Sequence, residues 1–138
     1  AQRATAEDLQ NIRACYEQIA HFQILGDDDQ AAIADAKFHL AIAEASHNLV
    51  LIQMMRGLFD LLQYNVVLGR RKVYTEAHRF DQLHDQHFQV MDAIERQDPE
   101  AARTAVCGHI EFVVQQVRMI DEEDARRQRA SRLNRIAP

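Results

Sequence analysis

Apolar residues recur along this chain at helical rather than strand-like spacing. Leu9, Ile12, Tyr16, Ile19 and Phe22 share one helical face. The preceding stretch, Thr5 to Asp8, resembles a capping box, in which a hydroxyl covers the third backbone N–H and an acid reaches back. This first helix is expected to stop near Gly26, with the polar run 26–29 as a turn and a second helix from about Gln30 to Ser46. Asn48 can cap a third helix carrying Leu51, Met54, Leu58, Leu61 or Leu62, and Leu68 on one stripe, fraying around 69–72. A fourth helix, about Glu76 to Gln97, places Phe80, Leu83, His87, Val90, Met91 and Ile94 at helical spacing. Asp98 then suits an N-cap and Pro99 the first helical position, so a fifth helix runs on through Val106, Val113 and Ile120. Strand-like alternation, internal repeats and low-complexity blocks do not occur. The expected fold is all-α, an antiparallel helical bundle of about five to six helices with short connections.

Composition agrees with few, long helices. The 138 residues suit a single domain, and 47% are hydrophobic while Gly numbers 4 and Pro 2, so core material is plentiful and turn punctuation scarce. Neither a run of about 18 apolar residues nor a signal-peptide pattern is present, so membrane insertion and export are not expected. Cys15 and Cys107 form no CxxC spacing; both read as core thiols in a reduced, cytoplasmic setting. The net charge of −5 hides an asymmetry. Residues 125–138 hold five arginines and no acid, and removing that +5 leaves residues 1–124 at −10. Such a body should repel nucleic acid, and the arginine-rich tail reads as a solvated, frayed end or a linker.

Candidate chemistry sits in the histidines. His87 lies eleven residues before Asp98 and His109 eleven after it. A tight hairpin hinged at Asp98 therefore sets both imidazoles at one height, roughly 16 Å from the hinge. Both also belong to apolar stripes and so point at the core. A lone core histidine is ordinarily a hydrogen-bonded structural residue, but two at matched height suit a borderline metal such as zinc, nickel or copper. Asp35 and His39, one helical turn apart on the second helix, would complete a set of four donors if that helix packs on the hairpin. His84, one turn before His87, is a competing ligand.

The run DAKFHLAIAEASHNLVL (35–51), followed by DQHFQVMDAIERQDPEAARTAVCGHI (85–110), resembles the FCD domain, the C-terminal effector domain of the FadR-like branch of GntR bacterial transcription regulators. The resemblance covers about residues 7–120. It implies a divalent metal held by Asp35, His39, His87 and His109 inside an all-helical bundle, with a small organic acid bound over it. The segments RACYEQ, FDLLQYNVV and FHLAIAEASHN are most similar to the subgroup regulating lactate, glycolate and pyruvate use. Such regulators carry an N-terminal winged helix-turn-helix, and their effector domain starts with a helix often bearing an arginine near the effector. Neither has a counterpart in the sequence, so the chain is expected to be an excised effector domain (1–124) followed by the arginine-rich tail (125–138). A homodimer, and contact with DNA only through the absent N-terminal domain, are implied likewise.

Four donors leave coordination positions to a metal that prefers five or six ligands, and a 2-hydroxy or 2-keto acid can fill two of them. Zinc is the expected ion, with nickel or manganese as alternatives. Asn65 continues the third helix's stripe; as a buried amide it must find partners in backbone, water or a bound effector. Arg13, beside the Ile12 and Tyr16 stripe, is either an exposed arginine or a partner for the effector's carboxylate. One rival reading is a metalloenzyme, since three histidines and one aspartate also match the ligand set of iron or manganese superoxide dismutases. Against it stand the absence of HExxH, of a Ser/His/Asp order, of a glycine-rich phosphate loop and of a spare general base. A third reading, a closed structural metal bundle, predicts no pocket.

Overall fold

The computed structural model describes residues 1–59 and 77–134, and helix is the only regular secondary structure among them. Helix α1 spans Ala6–Ile24, α2 Asp28–Glu44, α4 Ala77–Glu95 and α5 Pro99–Asn134, while α3 covers 49–59. The all-α class expected from the sequence is the class observed.

Short polar side chains set the helix starts. At α1 both halves of the capping box form: Asp8 N donates to Thr5 Oγ1 at 3.2 Å, and Thr5 N donates to Asp8 Oδ2 at 2.7 Å. Asp27 accepts from Gln30 N at 3.0 Å, so α2 begins at Asp28 rather than near Gln30. Asn48 Oδ1 takes the N–H groups of Val50 and Leu51 at 3.1 and 3.3 Å, and Asp98 Oδ1 takes that of Ala101 at 3.0 Å. The ends of α1 and α4 share another device. Gly26, at φ +70°, lets Asp27 N reach back to Phe22 O at 2.9 Å, and Gln97, at φ +54°, lets Asp98 N reach Ala93 O at 3.0 Å. A glutamine in the left-handed region costs about 1–2 kcal/mol. In return the α4–α5 connection closes within a few residues, which fixes the register of everything further along the two helices.

α1 packs on α2, α4 on α5, and α1 also meets α4. Their common core joins Ile12 and Ile19 of α1, Ala34, Phe38 and Ala41 of α2, and Val90, Met91 and Ile94 of α4. Most of the buried surface of α2 is alanine; Phe38 is its one large, fully buried side chain. Small side chains at a helix contact shorten the distance between axes. The polar residues of α2 are thereby drawn close to the other helices.

Three expectations come out differently. Cys15 is half-buried against the core, but Cys107 is exposed, because the inward positions of α5 are Ala105, Val106, His109 and Val113 and Cys107 falls off that stripe. On α3, Leu51, Met54 and Leu58 are 39%, 59% and 45% exposed; the rest of their expected stripe, Leu61, Leu62 and Leu68, lies outside the described residues. In the arginine-rich segment Arg126, Arg127 and Arg129 are exposed as expected, but the chain does not fray at residue 125. The segment continues α5 to Asn134, with Arg127 and Glu123 paired at 2.8 Å one turn apart. No helix among the described residues is long and apolar enough to cross a membrane.

Candidate metal centre

The tight connection at Gln97 and Asp98 brings His87 of α4 and His109 of α5 to one level, with ring centroids 4.6 Å apart. From α2, His39 joins them at 5.6 Å from His87 and 5.2 Å from His109. Each of the three imidazoles offers a nitrogen, and these nitrogens lie within 4.8 Å of one another. Asp35, one turn before His39, aims Oδ1 between two of the rings, 3.2 Å from His39 Nε2 and 3.3 Å from His87 Nε2. The structure thus brings together all four residues singled out in the sequence. Three separate helices supply them, so the cluster exists only in the folded chain.

Burial is graded. His87 is 0% exposed and His109 3%, whereas the His39 side chain keeps 19% of its surface, so the cluster reaches solvent on the His39 side. Phe38 walls the interior, its ring meeting that of His87 edge-on at 5.2 Å. Separately, an open groove of about 530 Å³ runs between α4 and α5, and of the four residues it touches only His109.

Electrostatics keep the cluster ready for a cation. Burial by itself would raise the Asp35 carboxyl, but the charge and hydrogen bonds of His87 and His39 hold it well below the ordinary range, so it stays ionised. Burial first, and then the neighbouring imidazoles of His87 and His39, push His109 down to about 3 against the opposing pull of Asp35. Its ring is neutral at neutral pH, the form that can donate a lone pair. Three imidazoles and one carboxylate are a donor set that fits a borderline divalent ion, and the residues present fit the group that the sequence implies.

A pH dependence follows from these shifts. In the unfolded chain His109 would titrate near 6.5, so between that value and about 3 the unfolded state binds more protons than the folded one. The contribution of His109 to the stability of the metal-free domain is therefore fully present above pH 6.5 and is lost as the pH falls toward 3, and that of Asp35 is lost only below about 3.8. Urea denaturation in chelator at intervals from pH 7.5 to 4 checks this; a midpoint that does not move would contradict it.

His84 is absent from the cluster. The Tyr16 hydroxyl lies 2.7 Å from its Nε2, which ties α1 to α4 on the surface. Arg13 donates to both carboxylate oxygens of Glu95, at 2.9 and 2.6 Å, with its side chain 55% exposed. Glu95 lies eight residues beyond His87 on α4, about 12 Å along the axis. Arg13 is thus committed away from the cluster, and Asn65 lies outside the described residues. Sequence reasoning missed Gln86, whose Oε1 stands 3.2 Å from His109 Nδ1. The hairpin register that pairs residues 87 and 109 also carries 86 within reach, and that was the available signal.

The model of the family described as FCD domain matches residues 1–112. Over 133 residues the chain is 45% identical to an Escherichia coli K12 protein named "Putative L-lactate dehydrogenase operon regulatory protein", covering 96% of this chain and 50% of that protein. It is 28% identical to the Glc operon transcriptional activator of the same organism (86% of this chain, 48% of that one) and 26% identical to its Exu regulon transcriptional regulator (80% and 42%). The chain spans about half the length of the curated relatives it matches.

Proposed function

Since the chain belongs to the FCD domain family, we propose that it is the effector-sensing domain of a GntR-type transcription regulator, in which a small organic acid bound at a divalent metal controls a separate DNA-binding domain. The observation that carries this reading is the convergence of Asp35, His39, His87 and His109 from three helices into one largely buried cluster that keeps part of His39 exposed. The ion would supply a positive centre with positions left for anionic oxygen ligands. Asp35, His39, His87 and His109 would hold it; zinc suits these donors best, with nickel or manganese as alternatives. Phe38 and the core beneath wall the inner side, while the part-exposed His39 and the α4–α5 groove at His109 face solvent.

The acid is proposed to be a short 2-hydroxy or 2-keto acid such as lactate, glycolate or pyruvate. Support comes from the chemistry of two adjacent oxygens on one metal and from the relative whose name refers to an L-lactate dehydrogenase operon. Asn65 and Arg13 are proposed as further contacts to the acid, Arg13 only by exchanging Glu95 for the ligand's carboxylate. Unchanged acid affinity in Arg13→Gln would remove it from the site. Pairing of two domains, and DNA contact through an N-terminal winged helix, belong to the same reading. A redox metalloenzyme shares the donor types, but the matched relatives are named as regulators, which favours regulation over catalysis.

A thermal-shift screen of small carboxylates against metal-loaded and metal-stripped protein tests the proposal. A ligand that binds only the folded state adds about 2.7 kcal/mol at a hundredfold excess over its dissociation constant. The expected result is a shift with one or more 2-hydroxy or 2-keto acids in the loaded protein alone. Equal shifts with and without metal, or no shift with any acid, would remove chelation from the reading.

A further inference from the structure

We propose that Gln86 is a positioning residue of the metal centre: its side-chain carbonyl fixes the tautomer of His109 so that the Nε2 lone pair is left for the ion. The inference rests on the reading of the cluster as a metal site. Gln86 precedes His87 on α4 and reaches across to α5, where its Oε1 lies 3.2 Å from His109 Nδ1. A carbonyl oxygen can only accept, so this contact requires the hydrogen of the neutral imidazole to sit on Nδ1. The lone pair then sits on Nε2.

The opposite arrangement, with the amide reversed so that its NH2 donates to Nδ1, would put the hydrogen on Nε2 and block that atom. The rest of the cluster favours the first. His39 and His87 both face Asp35 through Nε2, so an Nε2 from His109 gives three imidazoles of one orientation. His109 also has little freedom to turn, being 3% exposed and stacked on His39 at 29° between planes. Metal-binding histidines commonly have the second nitrogen held by a hydrogen-bond acceptor, which sets ring orientation and raises ligand basicity. Gln86 supplies that acceptor here from the wall of the α4–α5 groove, where it is only half-buried. Its replacement therefore leaves the hydrophobic core intact.

The experiment combines long-range 1H–15N NMR of the imidazoles in metal-stripped protein with metal affinity by chelator competition, for the unmodified chain, Gln86→Leu and Gln86→Glu. The expected result is an Nδ1–H tautomer for His109 in the unmodified chain and in Gln86→Glu, and a mixture containing Nε2–H in Gln86→Leu. Metal affinity should fall roughly 10–100-fold in Gln86→Leu and hold or rise in Gln86→Glu. An Nε2–H tautomer in the unmodified chain, or a Gln86→Leu tautomer equal to it, overturns the proposal. The NMR readout is independent of metal, so an unmodified chain that binds no ion overturns the metal reading while the tautomer still reports on Gln86.

Discussion

Protein carrying His87→Ala is expected to purify without divalent metal, falling below about a tenth of an equivalent per chain where the unmodified domain holds about one. His87 is the inner member of the cluster: 0% exposed, 3.3 Å from Asp35 Oδ1, and next to both other imidazoles. With it removed, Asp35 loses one of its two imidazole neighbours, and His39 and His109 remain as the only imidazoles of the set. The control is His84→Ala, one turn earlier on the same helix, which should keep its metal because His84 is engaged with Tyr16. Elemental analysis of protein prepared without chelator or nickel resin gives the answer, with circular dichroism to establish that both variants are folded. Metal retained by His87→Ala and lost by His84→Ala would reverse the assignment; an unmodified domain with less than a tenth of an equivalent would remove the site.

The parts of this fold visible in the sequence are those governed by local chemistry. Thr5 with Asp8, Asn48, and Asp98 with Pro99 act within one helical turn of themselves, so their roles follow from spacing alone. The height match of His87 and His109 is also local in effect, since a hairpin hinge converts sequence distance into position. The second helix resists such reading. Alanines cover most of its faces, and buried residues from Ala31 to Ala36 are almost consecutive, so no apolar stripe announces which side faces the bundle. Spacing shows that Asp35 and His39 share a face, but only packing shows that this face meets α4 and α5. Pairs such as Arg13 with Glu95, 82 residues apart and exposed, leave no periodic trace. Arg13 could therefore be marked as a cation near the core stripe without its partner being foreseen. The exposure of Cys107 has a simpler origin, since one position off the inward stripe of α5 rotates a side chain by about 100°.

Phe38→Ala is expected to cost about 3–5 kcal/mol, the largest loss of stability from any single side chain of α2. Phe38 is fully buried among Ile12, Ile19, Val90, Met91 and Ile94, and it is the one large side chain that α2 contributes to that core. Its alanine neighbours cannot move in to fill the hole without dragging the helix backbone with them. On a domain of this size the loss should lower the melting temperature by roughly 10–20 °C in chelator. The same ring contacts His87 edge-on at 5.2 Å and lies 5.6 Å from the ring of His39, so the cavity also frees the metal centre's inner wall. Metal that binds only the folded state should return part of the stability, by an amount that grows with the logarithm of its concentration. Phe88→Ala provides the contrast: 48% exposed on α4, Phe88 should lose less than about 1 kcal/mol. Melting curves of both variants with and without zinc decide the matter. A Phe38→Ala loss no larger than that of Phe88→Ala would mean that α2 is not held by this core. A Phe38→Ala loss of the expected size that zinc does nothing to recover would mean that the four donors gather without an ion to stabilise them.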